Sequence, residues 1–173
     1  MSRPKLIPDH SVYACIRALL TKSGDRAASF GAVSRATGLA PPTLVQRYGS
    51  QEAMVRAALM DGWDALDRAT DAAEGASDLS VKGAQVFLKS LSAETGDTAD
   101  LSLLVADFHD PALRDRAMAW KARVEQALAM RLGGGAKGRG AAAMLFAAWQ
   151  GQLLWIATGD KGFRLKDAIK RLT

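Results

Sequence analysis

Apolar residues recur along this chain with the period of an α-helix, and the breaks between the runs carry residues that start or stop helices. Val12, Cys15, Ile16, Leu19 and Leu20 share one stripe, which predicts a packing helix over 11–23 with Asp9 or Ser11 as N-cap and Gly24 as stop. Phe30, Val33 and Thr37 share one face of a shorter second helix, with the Ser29 hydroxyl at its N-cap and Gly38 at its end. Pro41 and Pro42 then fall in the first turn of a third helix, where a missing N–H costs nothing and a preset φ helps. Ala40 is a poor cap, so these prolines are what starts that helix. Leu44 and Tyr48, four residues apart, face inward on it, and the stretch Ser29–Tyr48 reads as a helix-turn-helix. Ser50 caps a long fourth helix in which Met54, Val55, Ala58, Leu59, Trp63 and Leu66 repeat to about Glu74.

Beyond Gly75 nothing reads as a strand. Ser77 or Asp78 can start a helix to about Ala93, and Thr95-Gly96-Asp97 is expected to break it. A helix from Thr98 to Phe108 would carry Leu101, Leu104, Val105 and Phe108 on one side, and Asp110-Pro111 opens another to Leu132 with Leu113, Ala117, Trp120, Val124 and Leu128. The glycine run 133–140 lacks the Gly-Lys-Ser/Thr ending of a phosphate loop and no strand precedes it, so it is read as a mobile connection. The helix from Ala141 to Thr158 is apolar nearly all round, which implies an oligomer interface, and a short helix from Phe163 to Leu172 turns Leu165, Ile169 and Leu172 inward. The fold class is all-α.

A chain of 173 residues, 49% hydrophobic and 24% charged, can bury one good core. No apolar run approaches the roughly 20 residues that cross a bilayer, and the first residues lack the apolar centre of a secretion signal, so the reading is cytoplasmic with no membrane partner. The single cysteine, Cys15, excludes an internal disulfide and a multi-cysteine metal site and is read as a packing residue. The net charge of +5 is localised: residues 1–50 hold Arg3, Lys5, Arg17, Lys22, Arg26, Arg35 and Arg47 against Asp9 and Asp25, and the remainder of the chain balances. A basic end that coincides with a helix-turn-helix is what binding a polyanion requires. Thr43, Val45, Gln46 and Arg47 are expected to project outward. Arg can bridge guanine O6 and N7, Gln can pair with adenine, and Thr or Val methyls can touch the thymine methyl. Ser29 and the free amides behind it can meet a phosphate, or simply cap the helix.

At residues 10–60 the chain resembles the TetR family of transcriptional regulators: an apolar first helix ending at Gly24, Ser29 ahead of the Phe30/Val33 helix, Gly38-Leu39, Pro42-Thr43-Leu44, Tyr48, then Gly49-Ser50-Gln51-Glu52-Ala53. The resemblance implies a three-helix helix-turn-helix domain over 1–52, a C-terminal helical ligand-binding and dimerisation domain over 53–173, and a homodimeric repressor of a palindromic double-stranded DNA operator, released by a small-molecule effector. Arg35, Pro41, Pro42 and Gln51 join Ser29, Thr43, Val45, Gln46 and Arg47 as the candidate DNA surface. The chain departs from the family pattern where Gly31 replaces a frequent Arg or Lys, Ala40 a Ser or Thr, Val45 a Tyr and Gln51 a Lys. Those departures motivate the alternative of a ligand-binding or interaction module with weak or lost specific DNA binding. An effector pocket would be lined by Phe87, Leu91, Leu104, Phe108, Trp120, Met144 and Phe146, with Asp107, His109 or Gln150 as polar groups. In the family the last two helices pair with their copies, which places Leu145, Trp149, Gln152, Leu153, Trp155, Ile156 and Ile169 at the dimer interface. His109 between Asp107 and Asp110 is the one hint of acid/base or metal chemistry, but Asp-Pro at a helix start is ordinary capping. No nucleophile–base pair, cofactor motif or metal site is read, so the protein is not read as an enzyme.

Overall fold

A computed structural model describes residues 7–23, 27–98, 108–156, 159, 162 and 164–172, and among them are eight helices and no strand. The carbonyl of Pro8 accepts from the amides of Ser11 and Val12, so the chain enters α1 (Asp9–Ser23) one residue ahead of the expected cap and leaves the Asp9 carboxylate for other partners. In α2 (Phe30–Thr37) the Ala32 N–H donates to Ser29 Oγ at 3.2 Å, and Gly38 ends the helix in the left-handed conformation at φ 78°. α3 (Pro41–Tyr48) starts on its two prolines with no side-chain cap at Ala40. The Ser50 hydroxyl accepts from the Ala53 N–H at 3.1 Å and opens α4 (Gln51–Gly75).

α5 (Val81–Thr98) begins later than expected, because Ser80 rather than Ser77 or Asp78 is the cap: Gly83 N–H donates to Ser80 Oγ at 3.0 Å. It also runs through Thr95-Gly96-Asp97 without the expected break, since a lone glycine costs a helix only about 1 kcal/mol. The expected helix from Thr98 to Phe108 falls mostly on 99–107, outside the described residues. Asp110 caps α6 (Pro111–Arg131) by accepting from Ala112 and Leu113. The glycine run is largely helical rather than a loop: α7 spans Gly135–Ile156, and within the run only Gly133, Gly134 and Gly135 take positive φ. Gly134 N–H donates back to Ala129 O at 2.9 Å, closing α6, while its own carbonyl accepts from Gly138. Gly138 is buried where α6 and α7 meet, and a Cβ there would sit 3.1 Å from Ala129 O and 3.3 Å from Leu132 O. α8 (Leu165–Leu172) follows and packs on α5 and α7, with Ile169 buried.

The core is one cluster that runs from Val12 and Ile16 through Leu44, Met54, Trp63 and Leu66 to Leu91, Trp120, Phe146 and Trp149. Trp120 is its hub, with ring centroids 5.8 Å from Trp63, 5.8 Å from Phe146 and 6.5 Å from Trp149. Its indole N–H donates to Thr70 Oγ1 at 3.0 Å, and that of Trp149 to Ser92 Oγ at 2.8 Å. Cys15, read as a packing residue, is half-buried, and burial pushes its thiol up.

The α6–α7 approach separates glycines that the sequence makes look alike. Gly138→Val should destabilise by roughly 1–3 kcal/mol through overpacking, whereas Gly140→Ala, in the same helix with open space around its Cα, should stabilise by about 0.5–1 kcal/mol. Urea denaturation of both variants measures the contrast.

Candidate nucleic-acid interface

α2 and α3 pack on each other and on α1 and α4, with Val33 and Leu44 fully buried and the opposite faces open to solvent. On α3 the exposed set is Pro41, Pro42, Val45 at 46% exposure and Gln46, with Thr43 half-buried beside them. Gln51 is half-buried at the start of α4. On α2 the exposed cation is Arg35, whose Nη1 would lie 3.7 Å from a Cβ at Gly31, so the guanidinium reaches back over the residue that the family pattern would make basic. Ser29 is half-buried with its oxygen engaged as the cap, leaving the hydroxyl proton to donate.

Arg47 does not project outward as expected. Its Nη1 donates to Ile7 O at 3.1 Å and to Asp9 Oδ1 at 3.4 Å, so the side chain folds back over the start of α1 with 25% of it exposed. The Tyr48 hydroxyl donates to the same Asp9 oxygen at 2.9 Å, and the Tyr48 ring packs against Tyr13 at 5.9 Å. Burial, first, and the Asp9 carboxylate, second, push the Tyr48 phenol well above its ordinary range. The same two causes, in the same order, raise Tyr13. Asp9 is the residue of this face that the sequence reading missed. Its only signal is being one of two acids among the first fifty residues, since a partner 38 residues away leaves no trace in periodicity.

The residues expected to line an effector pocket divide between core and surface. Phe87, Leu91, Trp120 and Phe146 are packed inside the core, Phe108 and Met144 are exposed, and Leu104 and Asp107 lie outside the described residues. Phe87, Leu91, Trp120 and Phe146 belong to one buried cluster, as an apolar stripe at helical spacing commonly does. Trp63 Nε1, also buried there, meets no acceptor. Asp110 is engaged in capping α6 and in an ion pair with Arg56, and His109 is exposed. Among the described residues no group of three or more His, Cys, Asp or Glu could hold a metal ion, and no helix is long and apolar enough to cross a membrane.

The expected dimer set divides as well. Leu145, Trp149 and Ile169 are buried within the protomer and are corrected to core, Gln152 and Leu153 are half-buried, Trp155 is 63% exposed, and the Ile156 side chain lies outside the described residues. Met144, at 59% exposure, and Ala148 line a groove of ≈ 570 Å³ closed on its other side by Arg164, Asp167, Ala168, Arg171 and Leu172.

No protein-family model matches the chain, and no curated protein does. Solved structures do. A TetR-like transcriptional regulator from Rhodococcus sp. RHA1 is similar with a TM-score of 0.75 at 15% identity, over 99% of this chain and 94% of that one. The TetR family transcriptional regulator PfmR from Thermus thermophilus follows at 0.67 and 17%, over 92% and 93%. The multidrug binding protein EbrR, solved in complex with imidazole, is similar at 0.67 and 19%, over 99% and 95%. The fold is therefore that of the TetR-like transcriptional regulators, over essentially the whole chain.

The Tyr48–Asp9 bond has a pH signature. A raised phenol pKa contributes stability that is complete below the unfolded value near 10 and is lost as pH rises through the folded value. Tyr48→Phe should cost about 1 kcal/mol at neutral pH and should flatten the alkaline decline above about pH 10, leaving the part due to Tyr13. Chemical denaturation across that range reads both effects.

Proposed function

We propose that this protein is a sequence-specific DNA-binding transcriptional regulator, a ligand-responsive repressor that binds a palindromic operator as a homodimer. The observation that carries the proposal is the solvent-open α2–α3 unit, whose inner faces are seated on α1 and α4, at the end of the chain that holds the whole excess of positive charge. Ser29 and Arg35 would meet phosphates while Thr43, Val45 and Gln46 face the base edges, supported by Pro41, Pro42 and Gln51 around them. The regulators with the same fold support the reading. The domains would divide at 52/53, with α4 shared between the two sides. Dimerisation falls to the outer face of α7, where Trp155 and Met144 are exposed, and to the α7–α8 groove. A two-fold dimer suits half-sites one DNA turn, roughly 34 Å, apart. Ligand responsiveness is supported by EbrR, a multidrug binding protein solved with imidazole, and by the Trp63 N–H, a donor without an acceptor in an aromatic cluster.

Fluorescence anisotropy against duplexes from the region upstream of its own gene, over a salt series, tests the regulator reading. Preference over random duplex is expected, with Arg35→Ala making the salt dependence shallower by about one phosphate contact; no preference at any salt would overturn it in favour of an interaction module without specific DNA binding. Dimerisation is tested by sedimentation of Trp155→Glu, which should give monomers. Trp149→Glu would unfold the core instead and is not informative.

A further inference from the structure

We propose that α3 is a neutral reading helix: Arg47 is a positioning residue held off the DNA, and Gln46, Val45 and Thr43 select half-sites whose contacted pairs are A·T. The inference rests on the DNA-binding reading above and specifies the sequence class of its ligand. Guanine is recognised in the major groove most often by an arginine or lysine that donates twice to O6 and N7, whereas the bidentate partner of a glutamine amide is adenine, which both donates through N6 and accepts at N7. Arg47 is the one arginine or lysine on α3, and its guanidinium is committed to Ile7 O and Asp9 Oδ1.

Releasing Arg47 toward a base would forfeit both acceptors. It would also leave the Asp9 carboxylate uncompensated beside a phosphate backbone, held only by the neutral Tyr48 hydroxyl that shares its oxygen. The reading helix is thereby tied to the start of α1 by one carboxylate that accepts from two consecutive α3 residues. That tie fixes the orientation of α3 and cancels its charge together.

What remains outward has a definite chemistry. Gln46 is exposed and engaged by no side-chain hydrogen bond among the described residues, so its amide is free to pair with adenine N6 and N7. Val45 is 46% exposed on the adjacent position, and with the Thr43 methyl offers apolar contact that only the thymine methyl rewards in the groove. Pro41 and Pro42 have no N–H, so the first turn adds no donor at those two positions that could favour guanine.

Selection from a randomised-duplex library, followed by anisotropy on the winning duplex and on versions with single A·T pairs changed to G·C, tests the proposal. The full-length protein should enrich A·T at the pairs reached by α3, and Gln46→Ala should erase about tenfold of the preference at one adenine. Arg47→Ala should weaken selected and random duplexes by the same factor and leave the preferred bases unchanged. Asp9→Asn keeps an acceptor for the Tyr48 hydroxyl but removes the charge that holds Arg47. It should steepen the slope of log affinity against log salt by about 0.9, one additional phosphate contact. A guanine preferred by the wild type and lost in Arg47→Ala would overturn the proposal while leaving the DNA-binding reading intact. Failure of the wild type to enrich any sequence would overturn both.

Discussion

Burial of one face of α4 sets the position of nearly everything else. Met54, Ala58, Leu59, Gly62, Trp63, Leu66, Ala69, Thr70 and Ala73 are all buried along a helix of 25 residues, roughly 37 Å of continuous apolar seam. Its first turns receive α1 and α3, and its later turns receive α5 and α6. Each large side chain on this seam contributes about 2–3 kcal/mol, so the helix-turn-helix cannot pivot independently without exposing part of it. Along the outer edge, Arg116 pairs with Asp64 and Asp67, and Arg123 with Asp67, Asp71 and Glu74. These partly exposed pairs are each worth about 0–1 kcal/mol. They set the register of α6 on α4 more than they hold it there.

Polar groups inside the seam do a different job. Thr70 donates to Leu66 O and accepts the Trp120 indole N–H, so this fully buried hydroxyl costs little and dictates one orientation for the central ring. Arg131 is buried, and its hydrogen bonds go to backbone and hydroxyl oxygens. It donates to Glu74 O, Ser77 O and Ser77 Oγ at the carboxyl end of α4 and lies 5.0 Å over the Phe87 ring. The negative end of the α4 dipole and the ring face compensate its charge. A residue on α6 thereby locks the turn between α4 and α5, so all three helices share one geometry.

The N-terminal helices are legible in the sequence because their boundaries are written in local chemistry: the Ser29 and Ser50 caps, the prolines at 41 and 42 and the left-handed Gly38 each act within four residues of themselves. The C-terminal half is less so. Glycine is ambiguous without a partner surface, and nothing local tells Gly138, which lets α6 approach, from Gly134, which turns the chain. Periodicity likewise cannot tell a protomer core from an interface. A helix apolar on every side, as α7 is, reads as an interface throughout, yet Trp149 faces Trp120, Leu145 is buried with it, and Met144 and Trp155 elsewhere around the helix reach solvent. In the candidate site the inward turn of Leu44 follows from its spacing, but the direction of Arg47 depends on Asp9, which only folding brings near.

The same long-range pairing changes what the localised charge means. Arg17 donates to Ala58 O and pairs with Asp61 at 2.7 Å, so one of the basic residues among the first fifty spends its charge on the α1–α4 contact, and Arg47 spends its own on Asp9. Arg35 and Lys22 are the exposed cations left among the described residues of that region. On the proposed DNA-binding function, fewer phosphates would be neutralised than a formal count of basic residues suggests, and the salt-dependent, sequence-independent part of the affinity would shrink in proportion. Neutral contacts at base edges then carry a larger share of any binding, and they discriminate between sequences in a way that phosphate contacts do not. The departures from the family pattern at Gly31, Val45 and Gln51 move in the same direction, each replacing a polar or charged contact by a smaller or uncharged one. On the proposed DNA-binding function, the geometry of Asp9, Arg47 and Tyr48 would therefore trade affinity for selectivity, where charge alone reads as a weakened face.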